Sequence, residues 1–73
     1  MVANIQSAIA KLKHKDVRQR RRAVRILFDA DAYESVEAFS PLLEDKDIWF
    51  RNKAIEAYRR WAAKHAPHLL EQL

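Results

Sequence analysis

The sequence predicts an all-α fold: two antiparallel helical hairpins stacked as a short α-solenoid, or α-α superhelix, with a short helical piece at the C-terminus. Three observations carry this. Glycine and cysteine are absent from the 73 residues, and proline occurs only at Pro41 and Pro67. The chain therefore has almost no turn punctuation and is rich in helix formers. Apolar residues recur at i, i+3 and i+4, the spacing of an amphipathic helix. Finally, the chain echoes itself at an offset of 31 residues: Leu12, Lys15, Asp16, Arg20, Ala23 and Ala32 reappear as Leu43, Lys46, Asp47, Arg51, Ala54 and Ala63. Conservative matches share the register: Ile5 with Val36, Val17 with Ile48, Arg22 with Lys53, Val24 with Ile55. A fixed period in this range marks stacked supersecondary units.

The elements follow in order. Val2, Ile5, Ile9 and Leu12 form one narrow apolar stripe, predicting a first helix over about residues 3–14. Lys13, His14 and Lys15 form a polar break. Asp16 is an N-cap for a second helix, because its carboxylate can accept from exposed backbone N–H groups. That helix runs from Val17 to about Phe28, with Val17, Val24, Leu27 and Phe28 on its apolar face and Ala23 as a small contact residue. Asp29 and Asp31 then suit the start of a third helix and its dipole. This helix is expected over about residues 32–43, with Val36, Phe39 and Leu43 facing inward. Pro41 removes a helical hydrogen bond within it and predicts a bend near Phe39–Ser40. Asp47 repeats the capping role of Asp16. The fourth helix runs from Ile48 to about His65 and is apolar over a wide arc, as a helix buried on two sides would be. Pro67 stops it, and His68, Leu69, Leu70 and Leu73 form a last amphipathic piece. The organisation expected is one small domain over residues 1–73. Its repeat units span about residues 3–30 and 32–66, with a partial third unit or cap at 67–73.

A chain of this size buries only about 60% of its unfolded surface, so its stability is marginal. Without cysteine it has neither disulfides nor thiolate metal sites, which suits a reducing cytosol. No apolar run approaches the roughly 20 residues that span a bilayer, and no signal-peptide pattern opens the chain. A cytoplasmic protein without a membrane partner is expected. Charge falls in blocks: +7 over residues 1–28, −6 over 29–47 and +3 over 48–73, for a net +4.

The residues resemble the HEAT-repeat family, in its short form of about 30 residues. Such repeats open the second helix with Asp, then an apolar residue followed by Arg one turn later, then a small Ala. The second unit reads Asp47, Phe50, Arg51, Ala54, and the first reads Asp16, Gln19, Arg20, Ala23. Pro41, Leu42 and Leu43 match the proline and leucines of the family's first helix. Gln19 departs from the usual aliphatic residue, and no glycine ends either second helix. Asp16–Arg20 and Asp47–Arg51 are i, i+4 pairs in the favourable orientation, worth about 0.2–0.5 kcal/mol each. The resemblance implies a further role for these four residues, a structural ladder of Asp–Arg contacts between adjacent repeats.

Five arginines fall within residues 18–25. On a helix Arg18, Arg22 and Arg25 share a face, with Arg21 beside them, and Lys11 and Lys15 extend the patch. Guanidinium forks suit phosphate. Binding of nucleic-acid backbone by Lys11, Lys15, Arg18, Arg21, Arg22 and Arg25 is therefore one reading. A solvated face balanced by Glu34 and Glu37 is the other. No aromatic is interleaved with the run, so base stacking has no platform. His65, His68 and Glu71 have a spacing that converges on zinc in a helix, but Pro67 interrupts it, and surface residues at a helix end are expected. Ser7, Ser35 and Ser40 have no sequence-near histidine and no strained elbow. Asp45-Lys46-Asp47 lacks the glycine and distal glutamate of a calcium loop. No catalytic residue, metal, cofactor or small-molecule substrate is expected. Trp49 and Trp61 read first as packing residues, with Trp49 the better interface anchor if one is exposed.

The ends of a two-unit stack present uncovered apolar helix surface, and such patches mark interaction sites. The function expected is a non-catalytic protein-interaction module. It would dock onto itself or a larger partner through Val2, Ile5, Ile9, Trp49, Leu70 and Leu73. The alternative is nucleic-acid-backbone binding through the second helix.

Overall fold

In the computed structural model, which describes residues 4–73, every regular element is helical. The all-α expectation holds. The chain divides into two compact units, Met1–Ala32 and Tyr33–Leu73.

The first unit is a helical hairpin of α1 (Ile5–Lys11) and α2 (Val17–Asp29), packed against each other. Asn4 caps α1 by accepting from the Ser7 N–H at 3.0 Å and so sets its start, and the helix ends at Lys11 rather than at the expected residue 14. Asp16 caps α2 as expected, its Oδ1 accepting from the Arg18 N–H at 2.9 Å. Ala8 and Leu12 are buried, as are Ala23, Val24 and Leu27 of α2. The end of α2 corrects the expectation for Asp29 and Asp31. Asp29 belongs to its last turn, and Asp31 takes a left-handed conformation with φ 50°. The Ala32 N–H bonds the Leu27 carbonyl and the Asp31 N–H bonds the Phe28 carbonyl. This is the Schellman closure of a helix C-terminus, with aspartate at the position glycine usually holds.

The second unit begins with a 3₁₀ helix over Tyr33–Glu44 rather than a bent α-helix. Twelve residues is long for this geometry, and two features favour it. Pro41 has no N–H to give to an α-helical ladder. The apolar residues Val36, Phe39 and Leu42 are spaced by three, so in a three-residue turn they line up on one edge. All three are buried. The inward position expected for Leu43 is therefore held by Leu42, and Leu43 is only half-buried.

The 3₁₀ helix packs on α3 (Ile48–Ala57), which Asp47 caps through the Trp49 N–H at 2.9 Å. α3 runs on through a π-helical turn, Tyr58–Ala62, into α4 (Ala63–His65). Helical structure thus continues to His65 as predicted, with one widened turn. Tyr58, Trp61 and Ala62 of that turn are buried, and the Trp61 ring meets Phe39 at 6.1 Å between centroids. Pro67 breaks the helix, and a 3₁₀ segment, Pro67–Gln72, returns along it. Gln72 Oε1 ties this segment down by accepting from Tyr58 Oη at 2.8 Å and Ser40 Oγ at 3.0 Å.

Val17 and Ile48 correct a further expectation. Val17 is expected on the apolar face of the second helix and Ile48 in the wide apolar arc of the fourth, and both are exposed, Val17 at 38% and Ile48 at 62%. Each is the first residue of its helix. At 100° per residue Ile48 also lies about 160° away from the buried stripe of Phe50, Ala54 and Ala57.

Candidate functional site

The two units build the same local structure at equivalent positions. In the first, the Asp16 N–H bonds His14 Nδ1 at 2.9 Å, the Arg18 N–H bonds Asp16 Oδ1, and Arg20 Nη1 donates to the His14 carbonyl at 2.8 Å. In the second, the Asp47 N–H bonds Asp45 Oδ1 at 2.8 Å, the Trp49 N–H bonds Asp47 Oδ1, and Arg51 Nη1 donates to the Asp45 carbonyl at 2.7 Å. The backbone repeats too: residues 19 and 20 bond the Asp16 carbonyl, and residues 50 and 51 bond the Asp47 carbonyl. Each bond recurs 31 positions later. The sequence echo is thus a recurrence of geometry within each hairpin. Arg20 and Arg51 each reach back across the cap and hold the loop that precedes their own helix. Arg20 extends this to the Lys15 carbonyl at 3.3 Å.

The outer face of α2 is cationic. Arg18, Arg22 and Arg25 are exposed and lie on one stripe, opposite the buried stripe of Ala23 and Leu27. Arg21 is half-buried and already has a partner. Lys11 and Lys15 are exposed. Among the described residues Arg18, Arg22 and Arg25 make no side-chain ion pair, and Glu37 lies 3.5 Å from His68 Nε2.

The outer face of α3 is partly apolar. Ile48 and Ile55 lie one heptad apart on the same side, and Ile55 is half-buried. In the first unit the position equivalent to Ile55 is Val24, which is fully buried. Trp49 is half-buried, edge-on to Phe50 at 5.0 Å with Lys53 Nζ 5.5 Å from its ring. Leu70 and Leu73 are exposed, Leu73 at 53%. Ile5 and Ile9 are half-buried, and Val2 lies outside the described residues. Sequence reasoning missed Ile48 and Tyr33 as surface apolar residues. For Ile48 the signal was present, because residue 48 directly follows a capping aspartate.

A shallow depression of about 250 Å³ in the second unit is lined by Tyr33, Glu34, Val36, Glu37, His65 and Ala66. The His65 ring stacks on Tyr33 at 3.9 Å between centroids, with 19° between planes. His65 and His68 are thus each turned to a separate partner. Among the described residues no group of three or more His, Asp or Glu side chains is placed to hold a metal ion. Among them, too, no helix is long and apolar enough to cross a membrane.

No family model matches this sequence, and comparison with curated proteins and solved structures finds no significant match.

Proposed function

We propose that this chain is a non-catalytic interaction module of HEAT-repeat type. It docks through the outer face of α3 onto a hairpin of the same kind, supplied by a second copy. The observation that carries this reading is the unequal burial of equivalent residues. Val24 is fully buried at its place in α2, whereas Ile55 at the same place in α3 is half-open and Ile48 beside it is 62% exposed. A face that is apolar and half-open where its counterpart Val24 is covered, and that opens Ile48 further than its counterpart Val17 at 38%, is a face built to be covered. Leu70 and Leu73 add exposed apolar surface in the same unit. The HEAT-type reading is supported by the recurrence of cap, loop clamp and buried alanine (Ala23, Ala54) in both hairpins.

Association of this kind stabilises the folded chain by mass action. The melting temperature is expected to rise over an approximately hundredfold increase in concentration. Ile48→Glu removes that dependence while leaving helicity intact. A melting temperature independent of concentration in the unaltered protein overturns the reading.

A further inference from the structure

We propose that the outer face of α2 is a binding surface for the phosphate backbone of a nucleic-acid duplex. It is a site separate from the apolar face of α3.

Charge in the first unit is strongly one-sided, with eight Lys or Arg against three Asp in Met1–Ala32. The three acids offset the stripe only at its C-terminal end. Asp16 Oδ1 is engaged by the Arg18 amide at the helix start. Asp29 and Asp31 lie at and beyond the other end of α2. Two of the arginines are also spoken for, since Arg20 clamps the His14 carbonyl and Arg21 is half-buried with a partner. Arg18, Arg22 and Arg25 remain. They are exposed, without a side-chain ion pair among the described residues, and within about 60° of one another around the helix. Asp29 continues the stripe at its C-terminal end, so the cationic reach is Arg18 to Arg25. That distance is about 10 Å along the axis, comparable to three phosphates at a rise of about 3.4 Å along one strand. Exposed Lys11, Lys13 and Lys15 in and beyond the end of α1 add charge near the start of the stripe.

The chemistry of the stripe selects among polyanions. An anionic membrane is the natural target of a basic helix whose opposite, apolar face is available to enter lipid. Here the opposite face is Ala23, Val24 and Leu27, all buried in the fold. An acidic protein surface is normally held by aromatic or aliphatic anchors inside a polar rim, and none stands between these arginines. Planar guanidinium forks on a rigid helix, with no anchor and no stacking platform, fit a regular array of phosphates. Contacts of this kind position a duplex without reading its bases.

The test is fluorescence anisotropy with a mixed-sequence duplex at several salt concentrations. Binding is expected to weaken with salt, with a log–log slope of about −3 to −5, and to be indifferent to sequence. Arg18→Gln, Arg22→Gln and Arg25→Gln together should lower the slope by about three and the low-salt affinity at least about tenfold. Circular dichroism checks that helicity is unchanged. The corresponding triple lysine variant should keep most of the slope, and Arg59→Gln, on an exposed residue of the second unit, should change neither quantity. Absence of duplex binding at low salt overturns the proposal. So does a folded glutamine variant that binds as before, or binding to phosphatidylserine vesicles without binding to the duplex.

Discussion

Arg51 Nη1 donates to the carbonyl oxygen of Asp45 at 2.7 Å, six residues upstream and on the far side of the Asp47 cap. The bond joins the first turn of α3 to the loop that delivers the chain into it. Arg20 makes the same bond to His14, so each second helix is locked to its own entrance. A hydrogen bond with a charged donor contributes more than a neutral one. Arg51→Met is expected to cost about 1–2 kcal/mol in urea unfolding. Arg51→Lys should recover only part of this, because one ammonium does not reproduce the planar fork. Full stability in the methionine variant would remove the clamp from the account.

The two entrances differ at one residue. Asp45 accepts from the Asp47 N–H with a carboxylate oxygen, whereas His14 accepts from the Asp16 N–H with Nδ1. A carboxylate at position 14 would keep the acceptor and add negative charge at a helix N-terminus beside Arg20. His14→Asp should therefore stabilise the protein by about 0.3–1 kcal/mol at low ionic strength, with the gain shrinking as salt rises. Destabilisation would mean that the two entrances are not interchangeable.

Asp31 holds a left-handed conformation, φ 50°, at the close of α2. A side chain in that region costs roughly 1–2 kcal/mol, less for Asp than for most residues. A carboxylate there also faces the negative end of the helix. Asp31→Gly is expected to raise stability by about 0.5–1 kcal/mol, measured by denaturant unfolding. A loss of stability would show that contacts of the Asp31 carboxylate outweigh its backbone strain.

Much of the fold was legible because its signals are local. The capping aspartates, the break before each and the stop at Pro67 all depend on residues a few positions away. The third helix departs from its expected form because a period of 3.6 joins Val36 to Leu43, whereas Val36, Phe39 and Leu42 display the period of three that the 3₁₀ helix follows. Asp29 and Asp31 were misassigned because aspartate serves helix starts far more often than the glycine position of a Schellman closure. The outward turn of Val17 and Ile48 is readable from their place next to the caps, where position outweighs apolar character. The loop clamps were not legible. The i, i+4 spacing of Asp16–Arg20 and Asp47–Arg51 suggests pairing within the helix, whereas Arg20 and Arg51 donate to the carbonyls of His14 and Asp45, which no side-chain pattern records.

The resemblance to HEAT repeats carries an expectation of its own, an Asp–Arg contact from one repeat to the next. If the hairpins stack in register, Arg20 and Asp47 are energetically coupled. A double-mutant cycle with Arg20→Ala and Asp47→Ala should give an interaction energy of about 0.5–3 kcal/mol. Strict additivity, within about 0.3 kcal/mol, would contradict a ladder between the units.

The central claim is that the Ile48 face of α3 is a docking surface for a second copy. Sedimentation equilibrium on the unaltered protein, run beside Ile48→Glu, tests it most directly. A reversible monomer–oligomer equilibrium is expected for the first and a monomer at every concentration for the second. A monomeric unaltered protein, or an oligomer that survives the glutamate, would contradict it.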